Sequence, residues 1–94
     1  MTDAERLNSL KTDLGITATE YDGRLGHYLT AAVTEIEREG ATLDLDGSID
    51  DNNLVIDYAA WTWRKRESGE GMPRMLRYQL NNKILAEKMG ESEE

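Results

Sequence analysis

Residues 51–67 read DNNLVIDYAAWTWRKRE, and how this stretch is covered decides what kind of fold the chain can make. Its apolar residues follow the 3.6-residue period, which predicts a helix over Asp51–Glu67. With about 100° per residue, Tyr58 and Trp61 fall within about 40° of Leu54, while Ile56, Ala59, Ala60 and Trp63 fall near the opposite side. Only Asp57 and Arg64 share a clearly polar stripe. A helix apolar nearly all round must be covered nearly all round. Three other short helices can hardly do that, so the stretch predicts a partner chain. Trp61 is expected in the core, and Trp63, about 200° away, on a different surface that meets a neighbour.

Working outward, the same period draws three more helices, and the expected fold is all-α: a small bundle of about four helices with an irregular or briefly extended loop between the second and third. The first spans about Asp3–Leu14, capped by Thr2 or Asp3, with Leu7, Leu10 and Leu14 in one stripe and Gly15 as a left-handed stop. The second spans about Thr19–Glu39, with Tyr21, Leu25, Tyr28, Leu29, Ala32, Val33 and Ile36 in one arc and Gly40 at its end. Inside it, Gly23 reads as a frayed first turn, and Gly26 as either fraying or a close backbone approach. The fourth opens at Met72-Pro73, where proline suits a helix start, and runs to about Met89. It has two apolar arcs, Leu76–Leu80–Ile84 and Met75–Tyr78–Leu85–Met89, separated by a basic strip of Arg74, Arg77, Asn81 and Lys88. One arc suits the core and the other needs a neighbour.

Ninety-four residues make one domain with one modest core, expected over 1–89, followed by an acidic, disordered tail over 90–94. The hydrophobic share is 38%, with no Phe and no Cys. The core must therefore rest on Leu, Ile, Val, Ala, Tyr and Trp, and oligomerisation is a common remedy for so lean a core. Without cysteine there is no disulfide, thiolate nucleophile or cysteine-based zinc site. No apolar run approaches the ~20 residues of a membrane span, and the N-terminus lacks the form of a signal peptide. No membrane association is expected.

The loop TLDLDGSIDDNN, Thr42–Asn53, resembles an EF-hand loop if Gly47 takes position 6, which sets Asp44, Asp46 and Asp50 at ligand positions. Both ends fail, because Thr42 replaces the first Asp and Asn53 the closing Glu. A polar turn is expected instead, with Asp50 or Asp51 capping the third helix. His27, the only histidine, falls on the polar side of its helix with no partner for zinc or for a nucleophile. The serines lie in no elbow-like motif and there is no phosphate loop. Neither an enzyme nor a cofactor is expected.

The net charge is -8, yet residues 64–83 hold six Lys/Arg against two Asp/Glu. Cations at a helix C-terminus offset its dipole, which accounts for one or two of Arg64, Lys65 and Arg66. A nucleic-acid or regulatory module would use these three with Arg74 and Arg77 and is the alternative, but the ends of the chain are acidic and no base-reading motif is present. Arginine beside Trp and Tyr is the composition of protein interfaces. On this ground Trp63, Arg64, Arg66, Arg74, Arg77 and Tyr78 are the candidate interface residues.

The run LVIDYAAWTWRKRESGEGMPRMLRYQLNNKIL, Leu54–Leu85, resembles the second half of the small head-tail connector proteins of tailed bacteriophages, also called head completion or DNA-packaging adaptors. The earlier segments LKTDLGI (Leu10–Ile16), DGRLGHYLTAA (Asp22–Ala32) and IEREG (Ile36–Gly40) are similar to the family's first half. The resemblance implies a helical subunit of a ring, commonly a dodecamer, seated under the portal protein in the virion after assembly in the host cytoplasm. Its partners would be further copies of itself, the portal and a tail-side completion or stopper protein, with DNA passing through the lumen without sequence-specific binding. The loop Thr42–Asn53 lies outside what the resemblance implies.

Overall fold

The computed structural model describes residues 1–92, with side chains described through Lys88. It is all-helical, with four helices and no strand among the described residues. Helix α1 spans Asp3–Leu14, α2 Asp22–Arg38, α3 Ile49–Ser68 and α4 Arg74–Ser92.

The first helix begins and ends where the sequence places it. The Thr2 hydroxyl accepts from the Glu5 N–H at 3.2 Å while the Glu5 carboxylate accepts from the Thr2 N–H at 2.8 Å, a reciprocal capping box. These bonds to Thr2 hold the Glu5 carboxyl below the usual carboxylate range. At the other end Gly15 takes φ +70°, which a side chain would resist, and returns its N–H to the last turn. Gly69 closes α3 in the same way at φ +68°.

Helix α2 starts at Asp22 instead of Thr19. The preceding residues form a turn, and Asp22 is held by Lys11 of α1 at 2.8 Å. Helix α3 starts earlier than expected, at Ile49, because Ser48 and not an aspartate caps it, its hydroxyl accepting from the Asp51 N–H at 3.1 Å. Asp51 is otherwise engaged. It accepts from the Asp44 N–H at 2.8 Å and pairs with Lys83 of α4 at 3.2 Å. Burial pulls the Lys83 amine down, but the Asp51 hydrogen bond and charge, with that of Glu87, outweigh it and leave the amine above the usual lysine range. Helix α4 begins just after Pro73 and continues past Gly90 to Ser92. Of the tail expected to be disordered from Gly90, Glu93 and Glu94 lie outside the described residues.

Helix α3 is the axis of the bundle, and it overturns the expectation that its apolar girth needs another chain. Leu54, Val55, Ile56, Tyr58, Ala59 and Ala60 are all buried within the single chain, because α1, α2 and α4 all pack against it. Leu10 of α1, Leu25, Leu29, Ala32 and Ile36 of α2, and Leu76 and Leu80 of α4 complete the core. The small Ala59 and Ala60 let the neighbouring helices approach closely, so four short helices suffice.

A buried polar knot ties the start of the chain to α3. The Arg6 guanidinium donates to the Asn52 Oδ1 and the Met1 carbonyl, both at 2.8 Å, and pairs with Asp3. Asn52 in turn donates to the Ser48 carbonyl at 2.7 Å and the Leu45 carbonyl at 2.9 Å. Polar groups so buried, Asn52 at 1% exposure and Arg6 at 9%, are tolerated because each finds partners.

Candidate protein interface

The clustering of aromatics and cations in α3 has a local explanation. Trp63 meets Tyr28 and Tyr21 edge-to-face, with ring centroids 5.4 and 6.0 Å apart, so it packs against α2 and the turn before it. Trp61 meets Tyr58 at 5.3 Å on another side, and its indole N–H donates to the Glu70 carbonyl at 3.3 Å. Both tryptophans are half-buried and pack on the core from different directions. Trp61 is thus less buried than expected, and Trp63 is engaged within its own chain.

The three consecutive cations divide among three partners because each helical step turns the side chain by about 100°. Lys65 lies over Trp61 at 4.4 Å, four residues along, and Arg66 over Trp63 at 3.8 Å, three residues along. Arg64 turns to a third side and donates to the Asp13 carbonyl at the end of α1, 3.3 Å away.

The remaining candidates lie on α4. Arg77 pairs with Glu39 at 3.4 Å, beside the C-terminus of α2. Arg66 sits on the Tyr21–Tyr28 side, near the other end of α2, which at 1.5 Å per residue separates it from Arg77 by roughly 20 Å. The basic residues therefore do not form one patch. Arg74 and Tyr78 are exposed. Tyr78 belongs to an apolar face with Met75 and Leu85, whose exposures of 65%, 72% and 55% stand out in a domain whose other large apolar side chains are mostly covered. The helical wheel marks this arc, but Met75 and Leu85 carry neither the charge nor the aromatic ring by which composition points to an interface. Met89, the last member of the arc, lies outside the described side chains.

Three concave features flank the bundle, one of them a hollow of about 490 Å³ beside the Asp51–Lys83 pair. A groove of about 600 Å³ runs between α1 and α2, with Ala4, Leu7, Leu29, Val33 and Leu45 as its apolar lining. A cleft of about 370 Å³ where α1, α3 and α4 meet holds Asp13, Asp57, Arg64 and Gln79. In the cleft, burial pushes the Asp57 carboxyl above the usual carboxylate range, Asp13 adds to this, and Arg64 opposes it. The cleft thus brings two carboxylates and a guanidinium together, groups that can bind polar partners. In the Thr42–Asn53 loop, Asp44 accepts from the Gly47 N–H at 3.1 Å and Asp51 faces Lys83, so these carboxylates do not converge on a common point. Among the described residues no group of three or more His, Cys, Asp or Glu side chains is placed to hold a metal, and no helix is long and apolar enough to cross a membrane.

No known family model, curated protein or solved structure matches the chain. The resemblance to the phage connectors therefore rests on the residues quoted for it, beside a fold of the expected class.

Proposed function

We propose that this chain is a structural, non-catalytic subunit of a tailed-phage head-tail connector, forming a ring beneath the portal that joins capsid to tail and lets DNA pass. The observation that carries the proposal is the exposed apolar face of α4, Met75–Tyr78–Leu85, on a domain that has otherwise sealed its core. That face lies within the segment Leu54–Leu85 that resembles the connectors. An exposed apolar face of this kind is one form that a protein-contact surface takes.

The net charge of -8 also suits the role, because a channel subunit must let DNA slide without holding it. The rival role, a nucleic-acid or regulatory module gripping phosphates with Arg64, Lys65, Arg66, Arg74 and Arg77, fits less well. Arg64, Lys65, Arg66 and Arg77 are engaged by other groups of the chain, and the five cations are spread around the bundle.

The deciding experiment is incubation of the purified chain with purified portal rings, followed by sedimentation and electron microscopy. Co-sedimentation as an added ring is expected, with weak duplex-DNA binding at physiological salt. Tight DNA binding that falls steeply between about 50 and 200 mM salt, by a chain that never joins a portal, would reject the connector in favour of the nucleic-acid module.

A further inference from the structure

We propose that the outer face of α4 pairs with the same face of a second copy of this chain, the two helices lying parallel about a two-fold axis. Met75, Tyr78, Asn82, Leu85 and Met89 are spaced alternately three and four residues apart, the repeat of a and d positions that sets two helices side by side. Met75, Tyr78, Asn82 and Leu85 are all exposed, so the repeat faces outward and no described residue covers it. A stripe built on this repeat fits a second stripe of the same kind, which is what names another copy of the chain as its occupant. Two repeats are too short to hold free helices together, but α4 is already fixed on its own domain through Leu76 and Leu80, so pairing does not have to order it.

Charge decides between the two ways the helices can run. Arg74, Asn81 and Lys88 line one flank of the repeat, and Gln79 and Ala86 the other. An antiparallel pair would set like flanks together and bring Arg74 against Lys88 of the second copy. A parallel pair instead lays the basic flank of each copy over the Gln79 flank of the other. That flank borders two hollows, both lined by Gln79, and in each the carboxylates outnumber the cations. Asp13 and Asp57 stand beside Arg64 in the first, and Asp50 and Asp51 beside Lys83 in the second. The first hollow is lined by α4 and the residue before it from Pro73 to Gln79, the height at which Arg74 of a parallel copy arrives, so Asp57 is the carboxylate that receives it. Asn82, at an a position in the middle of the repeat, then meets Asn82 of the second copy, and a polar pair at such a position fixes register and limits the assembly to two.

The pairing rests on this face and not on the connector role. It occupies the surface through which that role has the chain meet protein, so the pair is the free form of the chain and parts before a portal or a ring neighbour is met. In sedimentation equilibrium the wild-type chain should pass from monomer to dimer, and no further, as concentration rises. Tyr78→Asp/Leu85→Asp should weaken the dimer at least about tenfold, with circular dichroism still that of the folded chain. Arg74→Glu and Asp57→Lys should each weaken it about fivefold, and the double variant Arg74→Glu/Asp57→Lys should recover the wild-type affinity.

Orientation is read from a disulfide, since the chain has no cysteine of its own. In a parallel pair the Leu85→Cys thiols of the two copies come within disulfide reach, whereas an antiparallel pair holds these positions roughly 12 Å apart along the helix. Oxidation of Leu85→Cys should therefore give a covalent dimer. A wild-type chain that stays monomeric at its solubility limit, or that grows past the dimer, would overturn the pairing. So would a dimer untouched by Tyr78→Asp/Leu85→Asp, or a Leu85→Cys chain that cross-links to a Tyr78→Cys chain and not to itself. A chain that dimerises in this way and never joins a portal would keep the pairing and lose the connector. A chain that joins portals and never dimerises would do the reverse.

Discussion

On a helical wheel α3 and α4 each carry apolar residues on two sides, yet α3 has both sides buried by α1, α2 and α4, while α4 has Leu76 and Leu80 on α3 and Met75, Tyr78 and Leu85 in water. The wheel fixes which residues share a face, but not what stands opposite. Helix α3 is central because α1, α2 and α4 all pack against it. Among the described residues none covers the outer face of α4. The same pattern of residues thus becomes a core in one helix and a surface in the other.

The sharpest way to break this contrast is to truncate one leucine on each side of α4. Leu80 is fully buried, so Leu80→Ala should cost about 3 kcal/mol in chemical denaturation, within the ~2–5 kcal/mol of core leucine deletions. Leu85→Ala should fall within about 0.5 kcal/mol of the wild-type chain. Equal losses would mean that the outer face of α4 is covered within the monomer.

The tryptophans test the corresponding point on α3. Trp61→Ala and Trp63→Ala should each cost about 2 kcal/mol in the isolated chain, less than the ~3–5 kcal/mol of a fully buried aromatic, because both are half-buried against partners of the same chain. A Trp63→Ala variant that keeps full stability and loses only assembly would return Trp63 to an intermolecular surface.

Next in size is the knot at the base of α3. Asn52→Ala removes an acceptor from the buried Arg6 guanidinium and a donor from the Leu45 carbonyl, and should cost about 1–2 kcal/mol. Hydrogen exchange should quicken at the N-terminal turn of α1 in this variant and leave α4 unchanged.

The smallest effect concerns the cleft. Folding raises the Asp57 pKa above 3.8, so the folded chain binds this proton more tightly than the unfolded one. The contribution to stability is present at low pH and is lost as pH rises from the ordinary aspartate value through the raised one. Asp57→Asn should flatten that fall and raise stability at neutral pH by no more than about 0.5 kcal/mol, since the carboxyl still meets water. A steeper fall in the variant would show the sign to be wrong.

By itself the sequence determined the class and the punctuation of the fold: four helices from the 3.6-residue period, the Thr2 cap and Gly15 stop of α1, and the inner and outer arcs of α4. These are local properties, set by side-chain spacing and by the hydrogen bonds that the ends of a helix must find, so they can be read without knowing what packs where. Tertiary structure alone decided that α3 needs no second chain, that Lys65 and Arg66 lie on Trp61 and Trp63 while Arg64 reaches α1, and that Arg6 and Asn52 meet across 46 positions of sequence. It also decided that α1 and α2 leave a groove open beside Gly26. Each of these depends on the direction in which one helix crosses another, and that is fixed by the joint packing of all four helices and not by the period of any one of them.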